Sequence, residues 1–166
     1  LPPPAPAAPD GHTLLLGIWN THVAVPKLVK LDYDVVKDFV PIAYMTDAPL
    51  LFTVHRSVPV NTFKELVVWL TANPDKASSG SAGIGSPPHL LDEVVRQQTK
   101  TRFQTVHYKG AGPIMQDLLG GQIQMAFLNP ATAAPHVRSG VIKAVGVTSP
   151  QRMKILPEVP TMSEAG

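Results

Sequence analysis

The most constraining feature of the sequence is a regular alternation of short apolar segments and longer amphipathic segments between Leu50 and Thr148. The short segments have the length of strands, whereas the longer ones place apolar residues at the three- and four-residue spacing of helices. Glycine, proline or asparagine lies at most of the junctions. The pattern predicts the order β-α-β-α-β-α-β-α-β. It therefore predicts an α/β fold in which helices flank both faces of a mostly parallel sheet.

Local signals indicate where these elements begin and end. The first helix has the pattern of a capping box, Thr62 followed by Glu65, and Asn73-Pro74 ends it. The second helix is expected to bury Leu91, Val94 and Val95. We expect strands at 50–55, 76–81, 102–108, 122–128 and 141–148, with helices that begin near residues 62, 88, 113 and 129.

Fewer elements are expected outside this alternation. We predict strands at Thr13–Ile18 and Pro41–Tyr44, a short helix at Val23–Lys30, and a loop with one helical turn at Leu31–Phe39. Residues 1–9 are rich in proline and alanine and are expected to be a linker. Prolines punctuate residues 150–166, which we expect to form a loop.

The strongest candidate for a ligand site is the stretch Lys76–Leu91, KASSGSAGIGSPPHLL. Small residues leave its backbone N–H groups accessible, and Ser86 is a favourable N-cap for the next helix. Since free N–H groups lie at the positive end of a helix dipole, the pattern predicts that Gly80–Ser86 holds a small carboxylate. The alternative is that this is an ordinary glycine- and serine-rich loop that binds nothing.

Two further loops run from a predicted strand into a helix, Tyr108–Gly112 and Asn129–Pro130. The carboxyl ends of parallel strands lie at one edge of a sheet, which is where open α/β sheets bind their ligands. Three helix N-termini are therefore expected to converge on that edge. Their convergence strengthens the prediction of an anionic ligand.

Composition excludes several other functions. The net charge is only +2 and no basic run occurs, so we expect no nucleic acid partner. The absence of cysteine excludes disulfides, thiol catalysis and Cys-ligated zinc. The six histidines have no paired spacing, so we expect neither a metal nor another cofactor. No apolar run has the length of a membrane span. No signal peptide is recognisable, and both ends look cut, so we expect a fragment of a longer protein.

Known catalytic motifs are incomplete. Gly83-Ile84-Gly85-Ser86-Pro87-Pro88 ends in proline where a dinucleotide fingerprint needs glycine, and Ser79 precedes Ser81 where a nucleophile elbow needs glycine. A small α/β hydrolase or transferase that uses Ser81 remains an alternative to a binding protein. A partial product that binds no ligand is a third possibility.

Six segments resemble one family in the same order along the chain, from about Asp10 to Gly166. They are DGHTLLLG, LDYDVVKDFVPIA, SAGIGSPPHL, HYKGAGPIMQDLLGGQIQMAFLNPATAAPHVRSG, VTSPQR and LPEVPTMSEAG. Through these segments the chain resembles the Bug-type receptors, which are the extracytoplasmic solute-binding proteins of tripartite tricarboxylate transporters.

The resemblance implies a two-lobed fold like that of type II periplasmic binding proteins, with one nearly complete lobe and part of the other in this chain. Residues 1–51 would belong to lobe one and residues 52–166 to lobe two. The family implies a periplasmic receptor, not an enzyme. It would capture a small organic anion (a di- or tricarboxylate, an amino acid or an aromatic acid) for the membrane permease subunits of the transporter. A full member is nearly twice as long, so edges left by the truncation are a possible route to a homodimer.

The resemblance also implies ligand contacts, each of which has a plainer alternative. His89 fits a locally bonded first-turn histidine, Lys109 a surface lysine, Tyr108 a core residue, and Asn129 a helix cap. Thr21 fits either a ligand contact or the cap of a short helix. The implied contacts are Thr21 and His22 in lobe one, and Ser81, Ala82, Gly83, Ser86, His89, Tyr108, Lys109, Gly110 and Asn129 in lobe two.

Overall fold

The computed structural model of the chain describes residues 8, 10–17, 22–23, 30–44 and 47–166. Contacts divide the chain into two compact units, Leu1–Met45 and Thr46–Gly166. No helix in these described ranges is long and apolar enough to cross a membrane.

The first unit contains a turn but not the expected strands. The backbone N–H of Asp38 donates to the carbonyl of Asp34, which is the helical turn predicted within Leu31–Phe39. Residues 13–17 and 41–44 form no β-ladder, so the strand predictions there are wrong. Leu14 and Ile42 are each more than two-thirds exposed, so no buried face stabilises an extended ladder. Most of the predicted helix Val23–Lys30 lies outside the described residues.

Within residues 47–166, five strands alternate with helices as the sequence predicts. The elements are β1 (Leu51–His55), α1 (Phe63–Ala72), β2 (Ser78–Ser81), α2 (Pro87–Thr99), β3 (Gln104–His107), α3 (Ala111–Leu119), β4 (Met125–Leu128), α4 (Pro130–Arg138), β5 (Ile142–Val147) and α5 (Met162–Ala165). The short helix α5 was not expected. It begins with a complete capping box, in which Thr161 Oγ1 accepts from Glu164 N–H and the Glu164 carboxylate accepts from Thr161 N–H.

The strands form one mixed sheet in the order β3-β2-β4-β1-β5. β2 pairs in parallel with β3 and β4, whereas β1 pairs antiparallel with β4 and β5. Four strands therefore run in one direction, and β1 alone in the sheet runs against them. The predicted α/β class, with helices on both faces of the sheet, is confirmed.

Helices bury an apolar cluster on each face of the sheet. On one face α1 and α2 pack over Phe52 and Phe127, whose rings stack with centroids 4.2 Å apart. On the other face α3 and α4 pack over β1, β4 and β5. This sandwich fixes the strand ends, and hence the candidate site.

Two local predictions need correction. The Thr62 hydroxyl accepts from Glu65 N–H, but the Glu65 carboxylate accepts from Asn61 N–H instead of completing a capping box with Thr62. In α2, Val94 is 45% exposed and Asp92 is fully buried. The helix turns Asp92 inward because hydroxyl groups on two neighbouring strands donate to its carboxylate.

Candidate functional site

The edge at which the sequence predicts a ligand is formed by the carboxyl ends of β3, β2 and β4. These three strands are parallel neighbours, so the loops that follow them share one edge of the sheet. Ser81 and His107 are register partners at the ends of β2 and β3, and Tyr108 N–H donates to the Ser81 carbonyl at 2.8 Å. The structure thus brings the loop 82–86 directly beside the loop 108–110.

The first turn of α2 itself offers few free N–H donors to an anion. Its first two residues, Pro87 and Pro88, have no N–H group. The N–H of Ser86 donates to the Gly83 carbonyl, and the N–H of His89 donates to the Ser86 hydroxyl at 3.4 Å. Prolines that suit a helix start also remove the donors that an anion needs.

The N-terminus of α4 is closed in a similar way. Pro130 is its first residue, and the side chain of the N-cap Asn129 accepts from Ala131 N–H at 2.8 Å. The Asn129 carbonyl accepts from Thr132 N–H. Asn129 therefore caps the helix, as its plainer interpretation predicts.

The N-terminus of α3 is open. Its N-cap is Gly110, which has no side chain to cap the helix. The N–H groups of Ala111 and Gly112 find no acceptor among the described residues, and both residues are exposed. Lys109 is also exposed and forms no ion pair within the described part of the chain. Of the three expected helix ends, this one retains donors and has a cation beside it.

Glycine is needed at two positions of this edge. Gly110 has φ +118° and ψ 177°, a region that is almost restricted to glycine. At Gly80, a Cβ would lie 2.6 Å from Ile123 Cδ1 and 2.8 Å from Ile114 Cγ2. The first glycine shapes the entry into α3, and the second lets β2 approach the core beneath α3.

Ser81 and His107 form the most specific side-chain contact at the edge. Ser81 is fully buried, and its Oγ lies 2.7 Å from Nδ1 of the exposed His107. The ring of His89 meets that of His107 edge to face, with centroids 5.1 Å apart. The His89 Nδ1 accepts from Gly85 N–H at 3.1 Å. His107 was not among the predicted site residues, and its only signal in the sequence is its place at the end of a predicted strand.

The remaining loop residues have clear placements. Ala82 is exposed, and Gly83 has φ +116°. Tyr108 packs against the core on the α3 face, and its hydroxyl donates to Asp117 at 2.7 Å. Burial, together with that carboxylate, raises the pKa of Tyr108 to about 12. The core interpretation of Tyr108 is thus the one its contacts favour.

A buried polar network lies under the same edge. Asp92 accepts from Ser79 Oγ at 2.8 Å and from Thr105 Oγ1 at 3.0 Å. Arg96 hydrogen-bonds Thr105 and the Phe103 carbonyl, and its guanidinium lies over the Phe103 ring. Burial raises the pKa of Asp92 to about 6, although both hydroxyl donors favour the charged form. Ser79 and Thr105 precede Ser81 and His107 by two residues, so the network anchors the same strand ends to α2.

The two predicted contacts in the first unit are only partly described. Thr21 lies outside the described residues. The ring of His22 meets that of Phe39 edge to face, with centroids 5.7 Å apart.

Comparison with known proteins agrees with this architecture. Residues 4–166 match the model of the tripartite tricarboxylate transporter family receptor. The chain belongs to this family. Its description is that of a receptor, so the interpretation as a binding protein and not an enzyme is confirmed. No group of three or more metal-binding side chains occurs within the described ranges.

Individual members of the family are similar to the chain over half of their length. The BugT protein of Bordetella pertussis is 32% identical over 164 residues, which is 98% of this chain and 50% of that protein. The chain thus spans about half the length of the curated relatives it matches. MatC of Rhodopseudomonas palustris with bound malate has 34% identity and a TM-score of 0.81, over 96% of this chain and 55% of that one. A protein of the same organism with adipate has 30% identity and a TM-score of 0.73, over 81% of this chain and 45% of that one.

Proposed function

We propose that this chain is the ligand-binding part of a periplasmic solute receptor, and that it captures a small dicarboxylate for the permease of a tripartite tricarboxylate transporter. The observation that carries the proposal is the open N-terminus of α3. It combines the free N–H groups of Ala111 and Gly112 with the positive end of the helix and the Lys109 cation. The malate- and adipate-bound relatives hold ligands of the same chemical class.

The proposed site occupies residues 82–85 and 107–112 at the ends of β2 and β3. Gly110 lets the chain enter α3 without a side chain over its first N–H groups. Lys109 supplies the charge that balances one carboxylate. Ser86, His89 and Asn129 support the loops through capping, whereas Ala82 and Gly83 present backbone to the ligand. Thr21 and His22 are proposed to approach the ligand from lobe one. The proposed lobes are residues 1–51 and 52–166, and the permease subunits and a homodimer remain proposed partners.

An enzymatic role for the Ser81–His107 pair is not favoured. Ser81 is fully buried, and the ring of His107 contacts the ring of His89, not the carboxylate that a catalytic triad places there. A receptor needs neither an exposed nucleophile nor a carboxylate that orients a general base.

Calorimetric titration of the 166-residue chain with malate tests the proposal. Malamide, in which neutral amides replace both carboxylates, is the matched ligand control. We expect binding of malate and none of malamide. The Lys109→Gln variant should weaken malate binding by up to about fivefold, because an exposed ion pair contributes about 1 kcal/mol at most.

The matched control variant is Lys76→Gln, since Lys76 precedes β2 at the opposite edge of the sheet. Its malate affinity should equal that of the unmodified chain. Absence of malate binding, or equal binding of malate and malamide, contradicts the proposal.

A further inference from the structure

We propose that the imidazole of His107 is a direct contact for the ligand carboxylate, and that the buried hydroxyl of Ser81 positions it. The inference rests on the proposed function and adds a specificity-determining residue to its site. It reverses the roles suggested by the sequence, in which Ser81 touches the ligand and His107 has no part.

Burial separates the two side chains. Ser81 has no exposed surface, so its hydroxyl cannot reach a ligand at the edge without displacing the loop. His107, its register partner, is exposed. The hydrogen bond between these two side chains joins Ser81 Oγ and His107 Nδ1, which lie 2.7 Å apart. Nδ1 of the ring is therefore hydrogen-bonded to a buried residue, and Nε2 is the ring nitrogen that can contact a ligand at the edge of the sheet.

The hydrogen bond also selects the tautomer of the ring. A buried hydroxyl needs an acceptor, and the two within reach are His107 Nδ1 at 2.7 Å and the Gly83 carbonyl at 3.5 Å. The shorter bond is the favourable one, because O–H donors prefer about 2.7–2.8 Å. When Ser81 donates to Nδ1, the proton of the neutral ring must lie on Nε2. His107 then presents an N–H donor at the edge.

The neighbouring ring, His89, is held by the loop before α2. Its Nδ1 accepts a hydrogen bond from Gly85 N–H. Its Nε2 lies 3.7 Å from a Glu93 carboxylate oxygen. The charged and titratable groups around His107 are His89, Asp92, Glu93 and Arg96 on α2, Lys109 in its own loop, and Tyr108 with Asp117 on the opposite face.

The site then has two kinds of donor for one anion. The N–H groups of Ala111 and Gly112 and the Lys109 cation lie just after β3, and His107 is the last residue of β3. A carboxylate held at the ends of these strands gains a hydrogen bond from His107 Nε2.

The binding experiment compares malate titrations of the unmodified chain, His107→Ala and His136→Ala. His136 lies in the last turn of α4 and is the matched control. We expect His107→Ala to lose about tenfold in malate affinity, because the donor to the charged carboxylate is removed. His136→Ala should leave the malate affinity unchanged.

A ligand-free measurement tests the positioning by Ser81 separately. Imidazole ¹⁵N spectra at pH 8 should place the His107 proton on Nε2, and Ser81→Ala should produce a mixture of tautomers. A proton on Nδ1 in the unmodified chain overturns the role of Ser81. Binding of malate by His107→Ala with an unchanged affinity overturns the contact but leaves the proposed function standing. A failure of the unmodified chain to bind malate overturns both.

Discussion

The buried carboxylate of Asp92 makes a sharp prediction about stability. It has no exposed surface, and two hydroxyl donors and the nearby Arg96 do not fully offset its desolvation. Its pKa is raised from 3.8 to about 6 in the folded chain. We expect Asp92→Asn, which resembles the protonated carboxyl group in shape and charge, to stabilise the fold at neutral pH.

The sign follows from proton linkage. Because the folded state binds this proton more tightly than the unfolded state, lowering the pH from above 6 to below 3.8 favours folding at this residue. A tenfold change in proton affinity corresponds to about 1.4 kcal/mol, so the shift has an upper bound of about 3 kcal/mol. The loss of one favourable carboxylate hydrogen bond reduces the gain. We therefore expect Asp92→Asn to raise the free energy of unfolding by about 1–3 kcal/mol at pH 7.5 and by less than about 0.5 kcal/mol at pH 4.

Urea denaturation followed by tryptophan fluorescence at several pH values measures this difference. Trp69 packs against the core cluster on the α2 face, so its fluorescence reports the unfolding of that cluster. Asp75→Asn is the control, because Asp75 is an exposed carboxylate in the loop before β2. A stability difference between Asp92→Asn and the unmodified chain that does not vary with pH would refute the reasoning, as would a variant that is less stable at pH 7.5.

Two glycine substitutions test the construction of the edge. Gly80→Ala should lower the free energy of unfolding by about 1–3 kcal/mol in urea denaturation, because the new Cβ would overlap Ile123 and Ile114. Gly112→Ala is the control for the loss of glycine, because Gly112 is exposed, has open space for a Cβ and has no positive φ. A smaller cost at Gly80 than at Gly112 would contradict the packing argument. Gly110→Ala should cost about 1–3 kcal/mol through backbone strain and should also weaken malate binding. For this variant, unchanged stability together with unchanged malate affinity would show that the α3 entry is not shaped by Gly110.

Much of the fold was predictable because it is encoded locally. The apolar period around Phe63, Leu66 and Leu70 and the N-cap at Thr62 determine α1 without help from distant residues. Strand length and apolar content similarly predicted β1, β4 and β5. The direction of β1 was not predictable, because its insertion between β4 and β5 depends on pairing with residues more than 70 positions away.

The same distinction applies to the site. Sequence reasoning predicted which strand ends and loops share one edge but treated three helix N-termini as equivalent. Local chemistry already separated them: Pro87 and Pro88 remove two donors from α2, whereas Gly110 leaves α3 uncapped. His107 and Asp92 could not be found in this way. Each is defined by a partner on another element, Ser81 and Ser79 respectively, and that contact requires the register between strands or between helix and strand.

The most direct test of the account is a two-dimensional ¹H–¹⁵N titration of the chain with malate, which reports each backbone N–H group separately. We predict that the largest shifts occur at Ala111 and Gly112, with smaller ones at residues 82–84, while the capped N–H groups of Ala131 and Thr132 stay unchanged. Malamide should produce none of these shifts. If the largest malate-dependent shifts fall at the start of α4, or on residues remote from the ends of β2 and β3, the open N-terminus of α3 is not the carboxylate site.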